Sequence, residues 1–263
     1  MEKAPLIFLL GTLRLFLCGT LCPLWLRFSM SVSENIFRVR EQISAAARRC
    51  GRSPDEIALM AVTKTHAAQR IREAYQAGLR VFGENRVQEF AGKVTALTDL
   101  GDAEWHMIGH LQTNKAAKTA ELFGAVDSVD SVKLAEKLDA AARALGKKLR
   151  VLIEINVGGE AAKSGLAPDS PELEALVEAA PQLGALEFCG LMTVPPFTAD
   201  PEGARPYFRK LRELRDAMAM RGPHGISLKV LSMGMSHDFE VAIEEGSTCV
   251  RVGTAIFGER VRA

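Results

Sequence analysis

The chain has 263 residues, of which 48% are hydrophobic and 25% are charged, a composition typical of a soluble globular protein with a sizeable core. Its 33 lysines and arginines nearly balance its 32 aspartates and glutamates, which argues against a nucleic acid or an anionic membrane surface as a partner. None of the five cysteines has a spacing that would hold zinc, so we interpret them as reduced thiols of a cytoplasmic protein.

Residues 1–29 form an N-terminal extension that differs from the rest of the chain. Its apolar stretch, residues 6–26, is interrupted by Arg14, and the extension has a single acidic residue, Glu2. Three interpretations stay open: a signal peptide or membrane anchor, a cleaved organelle-targeting presequence, or a start codon assigned too early. We favour the third, because Met30 directly precedes residues 31–34, a capping-box pattern that opens an amphipathic helix.

The folded part is predicted to begin with that helix, because apolar residues recur at helical spacing after Ser31 and the pattern stops at Gly51. Short β-rich runs then alternate with helical patterns. The eight predicted strands cover residues 57–64, 80–85, 105–109, 125–129, 150–156, 186–194, 228–234 and 249–257. Eight parallel strands joined by crossover helices fit an α/β fold, a (β/α)8 TIM barrel, better than a doubly wound sheet. No linker divides residues 30–263, so we predict a single domain.

Functional groups of such a barrel lie at the carboxyl ends of its strands. This rule brings together Lys64, Asn85, His110, Asn156, Thr193 and the segments 232–236 and 251–254. Lys64 ends the first strand, where burial would lower its pKa and make the amine nucleophilic. Taken alone, Lys64 fits a solvated or ion-paired strand-end lysine better.

Residues 231–238 predict a strand, a glycine turn and a helix that begins at an N-cap, Ser236, and ends at Gly246. A helix start offers free N–H groups and a hydroxyl, which suit a phosphate monoester. Gly253 would permit close backbone approach on the next strand, and the hydroxyl of Thr254 follows it. Together these segments predict a phosphate pocket after strands seven and eight.

Four further polar residues are predicted to have structural roles. His106 and His110 lack a helical i, i+4 partner for binding a metal, so we expect hydrogen-bonded or surface groups. Asp127 and Asp130 fit strand-end or capping positions.

Several motifs of the chain resemble those of the pyridoxal 5′-phosphate (PLP) homeostasis protein family. They lie at residues 61–64 (AVTK), 82–85 (FGEN) with Gln88 and Glu89, 105–115 (WHMIGHLQTNK), 190–193 (GLMT), 231–236 (LSMGMS) and 250–258 (VRVGTAIFG). The resemblance extends over essentially the whole chain from Met30 onward. That family is similar in turn to the barrel domain of alanine racemase, a fold-type III PLP-binding barrel.

The resemblance implies a PLP-binding protein of intracellular PLP homeostasis that carries the cofactor as a Schiff base on Lys64. Ser236, Gly253 and Thr254 would hold the phosphate, and Arg251 would face the pyridine nitrogen. Two further residues complete the expected site, Asn85 near the cofactor ring and Ser232 in an assisting role.

The same resemblance implies PLP as the ligand, apo PLP-dependent enzymes as candidate recipients, and no strong catalytic activity. We expect weak catalysis because the chain stops soon after the eighth strand, without the second domain that supplies a tyrosine to racemases. Tyr75 and Tyr207 fall in predicted helices instead. Two alternatives stay open: a fold-type III PLP enzyme such as an amino-acid racemase or lyase, and an aldolase that uses Lys64 directly on a substrate carbonyl.

Overall fold

Eight parallel strands form a closed barrel in the computed structural model, which describes residues 31–160 and 163–259. The strands are β1 (Ala58–Val62), β2 (Val81–Glu84), β3 (Glu104–Met107), β4 (Ala125–Val129), β5 (Leu149–Glu154), β6 (Leu186–Met192), β7 (Ile226–Met235) and β8 (Cys249–Val252). Each strand pairs with the next, and β1 also pairs with β8, which closes the barrel. The predicted single-domain (β/α)8 TIM barrel is confirmed. The N-terminal extension, residues 1–29, lies outside the described residues.

Helices precede the barrel and connect its strands. They are α1 (Val32–Arg49), α2 (Ala68–Gln76), α3 (Val87–Lys93), α4 (Ala116–Leu122), α5 (Val132–Ala144), α6 (Pro171–Ala179), α7 (Arg205–Arg221), α8 (Phe239–Glu244) and α9 (Thr254–Phe257). The predicted capping box is present in α1, where Ser31 and Glu34 satisfy each other's backbone N–H groups. Within the described part of the chain, each helix is too short or too polar to cross a membrane.

An aromatic cluster packs α3 against the outside of the barrel. The Trp105 ring of β3 lies 5.0 Å from the Phe82 ring and 4.7 Å from the Phe90 ring, measured between centroids. Phe90 also contacts Phe123, at 4.8 Å. Aromatic rings bury large apolar areas, so this cluster fixes the position of α3 relative to β2 and β3.

The eighth strand is shorter than predicted. It ends at Val252, and residues 254–257 form the single-turn helix α9. The run of apolar residues continues to Phe257 because α9 is buried on one side, with Ile256 and Phe257 in the core. A short apolar run does not distinguish a strand from a buried helical turn.

The prediction that Asp127 lies at a strand end is wrong. Asp127 lies in the middle of β4 and is 2% exposed. Its Oδ1 lies 2.9 Å from Nδ1 of His106, on the neighbouring strand. Burial alone would lower the pKa of His106, but the Asp127 carboxylate outweighs it and raises that pKa to about 9. The barrel interior therefore contains a buried ion pair between β3 and β4.

Candidate functional site

A cavity of about 860 Å³ opens at the carboxyl ends of the barrel strands, where such barrels have their active sites. Six of the seven predicted site residues line it: Lys64, Asn85, Ser236, Arg251, Gly253 and Thr254. The seventh, Ser232, is fully buried and does not line the cavity. The barrel closure thus brings together residues that are up to 190 positions apart in the sequence.

Lys64 lines the cavity from the turn that follows β1. Val62 lines it as well, and Thr63 between them is buried with its hydroxyl bonded to Glu84, as expected when alternate side chains point to opposite sides. Lys64 itself is half-buried. The turn therefore places Lys64, which carries a primary amine, in the wall of the cavity.

Asn85 follows β2 and packs closely against the loop after β3. A Cβ atom added to Gly109 would lie 2.4 Å from the Asn85 carbonyl oxygen, closer than any real contact. Only glycine at position 109 permits this approach. Asn85 and Gly109 both line the cavity, so this contact defines one of its walls.

Ser236 is not the N-cap of the following helix, contrary to the sequence prediction. The strand β7 continues to Met235, and α8 begins at Phe239 after Asp238. The Ser236 hydroxyl oxygen instead accepts hydrogen bonds from the N–H groups of Gly253, at 3.1 Å, and Ala255, at 3.3 Å.

These two bonds join the loop after β7 to the turn after β8. They also orient the Ser236 hydroxyl, because its oxygen is engaged as an acceptor and its hydrogen remains to be donated. The two predicted phosphate segments therefore form one structural unit, although by a different contact from the one expected.

Arg251 is 3% exposed, and neutral oxygens hold its guanidinium. Nη1 donates to the carbonyl and hydroxyl oxygens of Ser232, at 2.6 and 2.8 Å, and Nη2 donates to the Thr193 carbonyl at 2.7 Å. These bonds use three of the five guanidinium N–H groups. Burial lowers the pKa of Arg251, while nearby Asp127 and Glu154 act in the opposite direction. Ser232 thus fixes the orientation of Arg251.

Glu154 is a cavity residue that the sequence analysis did not single out. It ends β5 and is 5% exposed. Its Oε1 accepts a hydrogen bond from the Ser164 hydroxyl at 2.9 Å, whereas Oε2 is buried without a hydrogen-bond partner among the described residues. Burial raises the pKa of this carboxyl. The signal in the sequence was an acidic residue at the carboxyl end of a largely apolar strand.

Lys163 connects two loops at the rim of the cavity. Its Nζ donates to Glu160 Oε1 at 3.0 Å and to the Pro195 carbonyl at 3.2 Å. The loop after β5 is thereby tied to the loop after β6. Sequence reasoning also missed this contact, because it depends on loop geometry.

The donor set around the cavity has a distinct chemical character. A primary amine such as that of Lys64 can bond to a carbonyl carbon, and the buried guanidinium of Arg251 can donate to a neutral acceptor. The hydroxyls of Ser236 and Thr254 and the N–H group of Thr254 suit a phosphate group, beside the backbone of Gly253. The residues present fit a small phosphorylated aldehyde that also carries a hydrogen-bond acceptor.

Comparison with known sequences finds relatives that match most of the chain. Residues 35–261 match the family model described as alanine racemase, N-terminal domain. The chain is 48% identical over 231 residues to the pyridoxal phosphate homeostasis protein of Aquifex aeolicus, covering 88% of this chain and 99% of that protein. It is 44% identical over 234 residues to the protein of the same name from Escherichia coli K12, covering 87% and 97%.

Solved structures show the same relationship. The sequence of PipY from Synechococcus elongatus PCC7942, whose structure has PLP bound, is 38% identical to this chain. The two structures have a TM-score of 0.76 over 87% of this chain and 100% of that chain. An alanine racemase from Streptomyces lavendulae is 23% identical, with a TM-score of 0.65 over 87% of this chain and 57% of that chain. The racemase shares the barrel fold.

Proposed function

Because the chain belongs to the pyridoxal phosphate homeostasis protein family, we propose that it binds PLP in the barrel cavity and carries it within the cell. The observation that supports this most strongly is the placement of Lys64, Ser236 and Arg251 around one cavity. The three groups match the aldehyde, the phosphate and the ring nitrogen of PLP. Bound PLP would supply a reactive aldehyde and an aromatic ring that can accept electrons.

Ser236 and the turn after β8 would hold the phosphate. The Ser236 hydroxyl is already oriented by the N–H groups of Gly253 and Ala255, so its hydrogen can be donated to a phosphate oxygen. Thr254, at the start of α9, adds its hydroxyl and its own N–H group. Hydrogen bonds to a charged phosphate are stronger than those between neutral groups, so phosphate contacts would dominate the affinity.

Arg251 would make the site a poor catalyst. A guanidinium does not give up its proton at ordinary pH, so it would donate to the ring nitrogen and keep that nitrogen unprotonated. Its bonds to Ser232 and Thr193 hold it in this position. The electron-accepting power on which amino-acid chemistry depends would be weakened, which favours a carrier over a racemase or lyase.

A carrier must release what it binds, so we propose apo PLP-dependent enzymes as recipients. Among the described cysteines, Cys50, Cys189 and Cys249 are free thiols. Free thiols are typical of a reducing compartment, which supports a cytoplasmic location.

Spectroscopic titration with turnover assays tests this proposal. Addition of PLP to the purified protein should produce a visible absorption band that borohydride removes, and the loaded protein should turn over a panel of amino acids negligibly. Mixing it with an apo PLP-dependent enzyme should restore that enzyme's activity. Absence of a band would contradict the proposal, and alanine racemisation at rates typical of enzymes would replace the carrier with a catalyst.

A further inference from the structure

The turn that carries Lys64 has an unfavourable backbone conformation. Thr65, the residue after Lys64, has a φ of 66°, and it is the sole non-glycine residue with positive φ in the described ranges. Threonine is β-branched, and such residues rarely adopt this left-handed region. A conformation of this kind persists only where the surroundings impose it.

The ammonium group of Lys93 contacts the backbone of this turn. Lys93 ends α3 and its side chain is 11% exposed. Its Nζ donates to the carbonyl oxygens of Thr63 at 3.0 Å and His66 at 3.4 Å. These carbonyls stand on either side of Lys64 and Thr65, so one buried cation holds both ends of the turn.

Two carboxylates complete the arrangement. Glu84 is fully buried at the end of β2; its Oε1 lies 2.8 Å from Lys93 Nζ and also accepts a bond from the Thr63 hydroxyl. Glu89 Oε1 lies 3.1 Å from Lys93 Nζ and accepts the N–H of Thr65 at 2.5 Å. The side chain of Thr63 and the backbone N–H of Thr65 are therefore held as well as the two carbonyls.

The charges of this cluster depend on one another. Burial raises the pKa of Glu84, and Lys93 opposes that rise. Burial alone would also raise the pKa of Glu89, but the Thr65 N–H and Lys93 lower it below its ordinary value. The cluster is anchored because α3 is packed on the barrel through Phe90. It lies outside the cavity, since none of its three side chains lines that space.

We propose that Lys93, Glu84 and Glu89 are positioning residues that hold the strained turn at Lys64 and so set the rate at which its amine captures PLP. This inference rests on the proposed function. Capture joins the Lys64 nitrogen to the aldehyde carbon, and the aldehyde oxygen leaves as water with two of the three protons of the ammonium. If the Lys64 nitrogen is not held at its reactive position, it reacts with the PLP aldehyde more slowly.

The test compares two vitamers in the full-length protein. PLP can bond to Lys64, whereas pyridoxine 5′-phosphate has the same phosphate but no aldehyde. Lys93→Met keeps the approximate volume of the side chain and removes its charge. Lys118→Met is the matched control, because Lys118 lies on the surface of α4 and pairs with Glu121 at 2.8 Å.

We expect Lys93→Met to slow PLP capture by about 10- to 100-fold in stopped-flow absorption measurements, without a change in its affinity for pyridoxine 5′-phosphate. The control variant Lys118→Met should capture PLP at the wild-type rate. Unchanged capture would overturn the inference, and so would a parallel loss of affinity for both vitamers, which indicates a merely structural role. If Lys93→Met does not fold, Glu89→Gln is judged by the same two criteria. Failure of the wild-type protein to capture PLP would refute the proposed function instead.

Discussion

The buried pair of His106 and Asp127 makes the stability of the protein depend on pH in the neutral to alkaline range. The pKa of His106 is raised from 6.5 to about 9 in the folded protein. The folded state therefore keeps a proton that the unfolded state loses as the pH passes 6.5. Stability from this pair is fully present below pH 6.5 and is lost as the pH rises through about 9.

The two pKa values of His106 give the size of the effect. Each tenfold difference in proton affinity corresponds to about 1.4 kcal/mol, so the pair contributes about 3 kcal/mol to the free energy of unfolding at low pH. This is a large part of the total for a typical domain, about 5–15 kcal/mol.

Urea denaturation of the PLP-free protein at several pH values between 6.5 and 9 measures this directly. We expect the free energy of unfolding to fall with pH in the wild-type protein and to be flatter in the double variant His106→Gln, Asp127→Asn, which removes both charges. His110→Gln is the control, because His110 also pairs with an aspartate, Asp130, but its side chain is 59% exposed. If the double variant keeps the wild-type slope, or the wild-type protein gains stability towards pH 9, the pH dependence does not come from the His106–Asp127 pair.

Three further predictions concern the site and the extension. Ser236→Ala combined with Thr254→Val should narrow the preference for PLP over pyridoxal in equilibrium titrations, by about 1.5–3 kcal/mol for each lost charge-assisted bond; equal binding of both vitamers to wild type would exclude a phosphate pocket. Gly109→Ala should weaken PLP binding and lower stability by about 1–3 kcal/mol in urea denaturation, because its Cβ would lie 2.4 Å from the Asn85 carbonyl oxygen; an unaffected variant would contradict this close packing. A protein that begins at Met30 should fold and bind PLP as well as the full chain does, and loss of solubility or cofactor would show that the extension contributes.

The sequence was sufficient to predict the barrel and most of the cavity. Strand positions follow from the alternation of apolar runs and helices, and the rule that parallel strands end at the same face places Lys64, Asn85 and Arg251 together. The capping box at Ser31 identified the start of α1 correctly. These features depend on local patterns and on general rules of barrel geometry.

Contacts between distant loops could not be predicted in this way. The Ser236 hydroxyl bonds to N–H groups of Gly253 and Ala255, 17 and 19 residues away, and only the folded backbone brings these atoms together. Asp127 was misassigned because every residue of β4 is buried, so no alternation marked its inward position. Lys93 resembled an ordinary helix-end lysine, and its role depends on the turn packed against it.

Peptide mass spectrometry of the PLP-loaded, borohydride-reduced protein shows whether PLP is attached to Lys64. Reduction fixes the cofactor on the lysine that holds it, so digestion identifies both the added group and its position. We predict a PLP-derived mass on the peptide that contains Lys64. A protein without added mass, or one modified at Lys115 or Lys163 in place of Lys64, would show that Lys64 does not hold the cofactor.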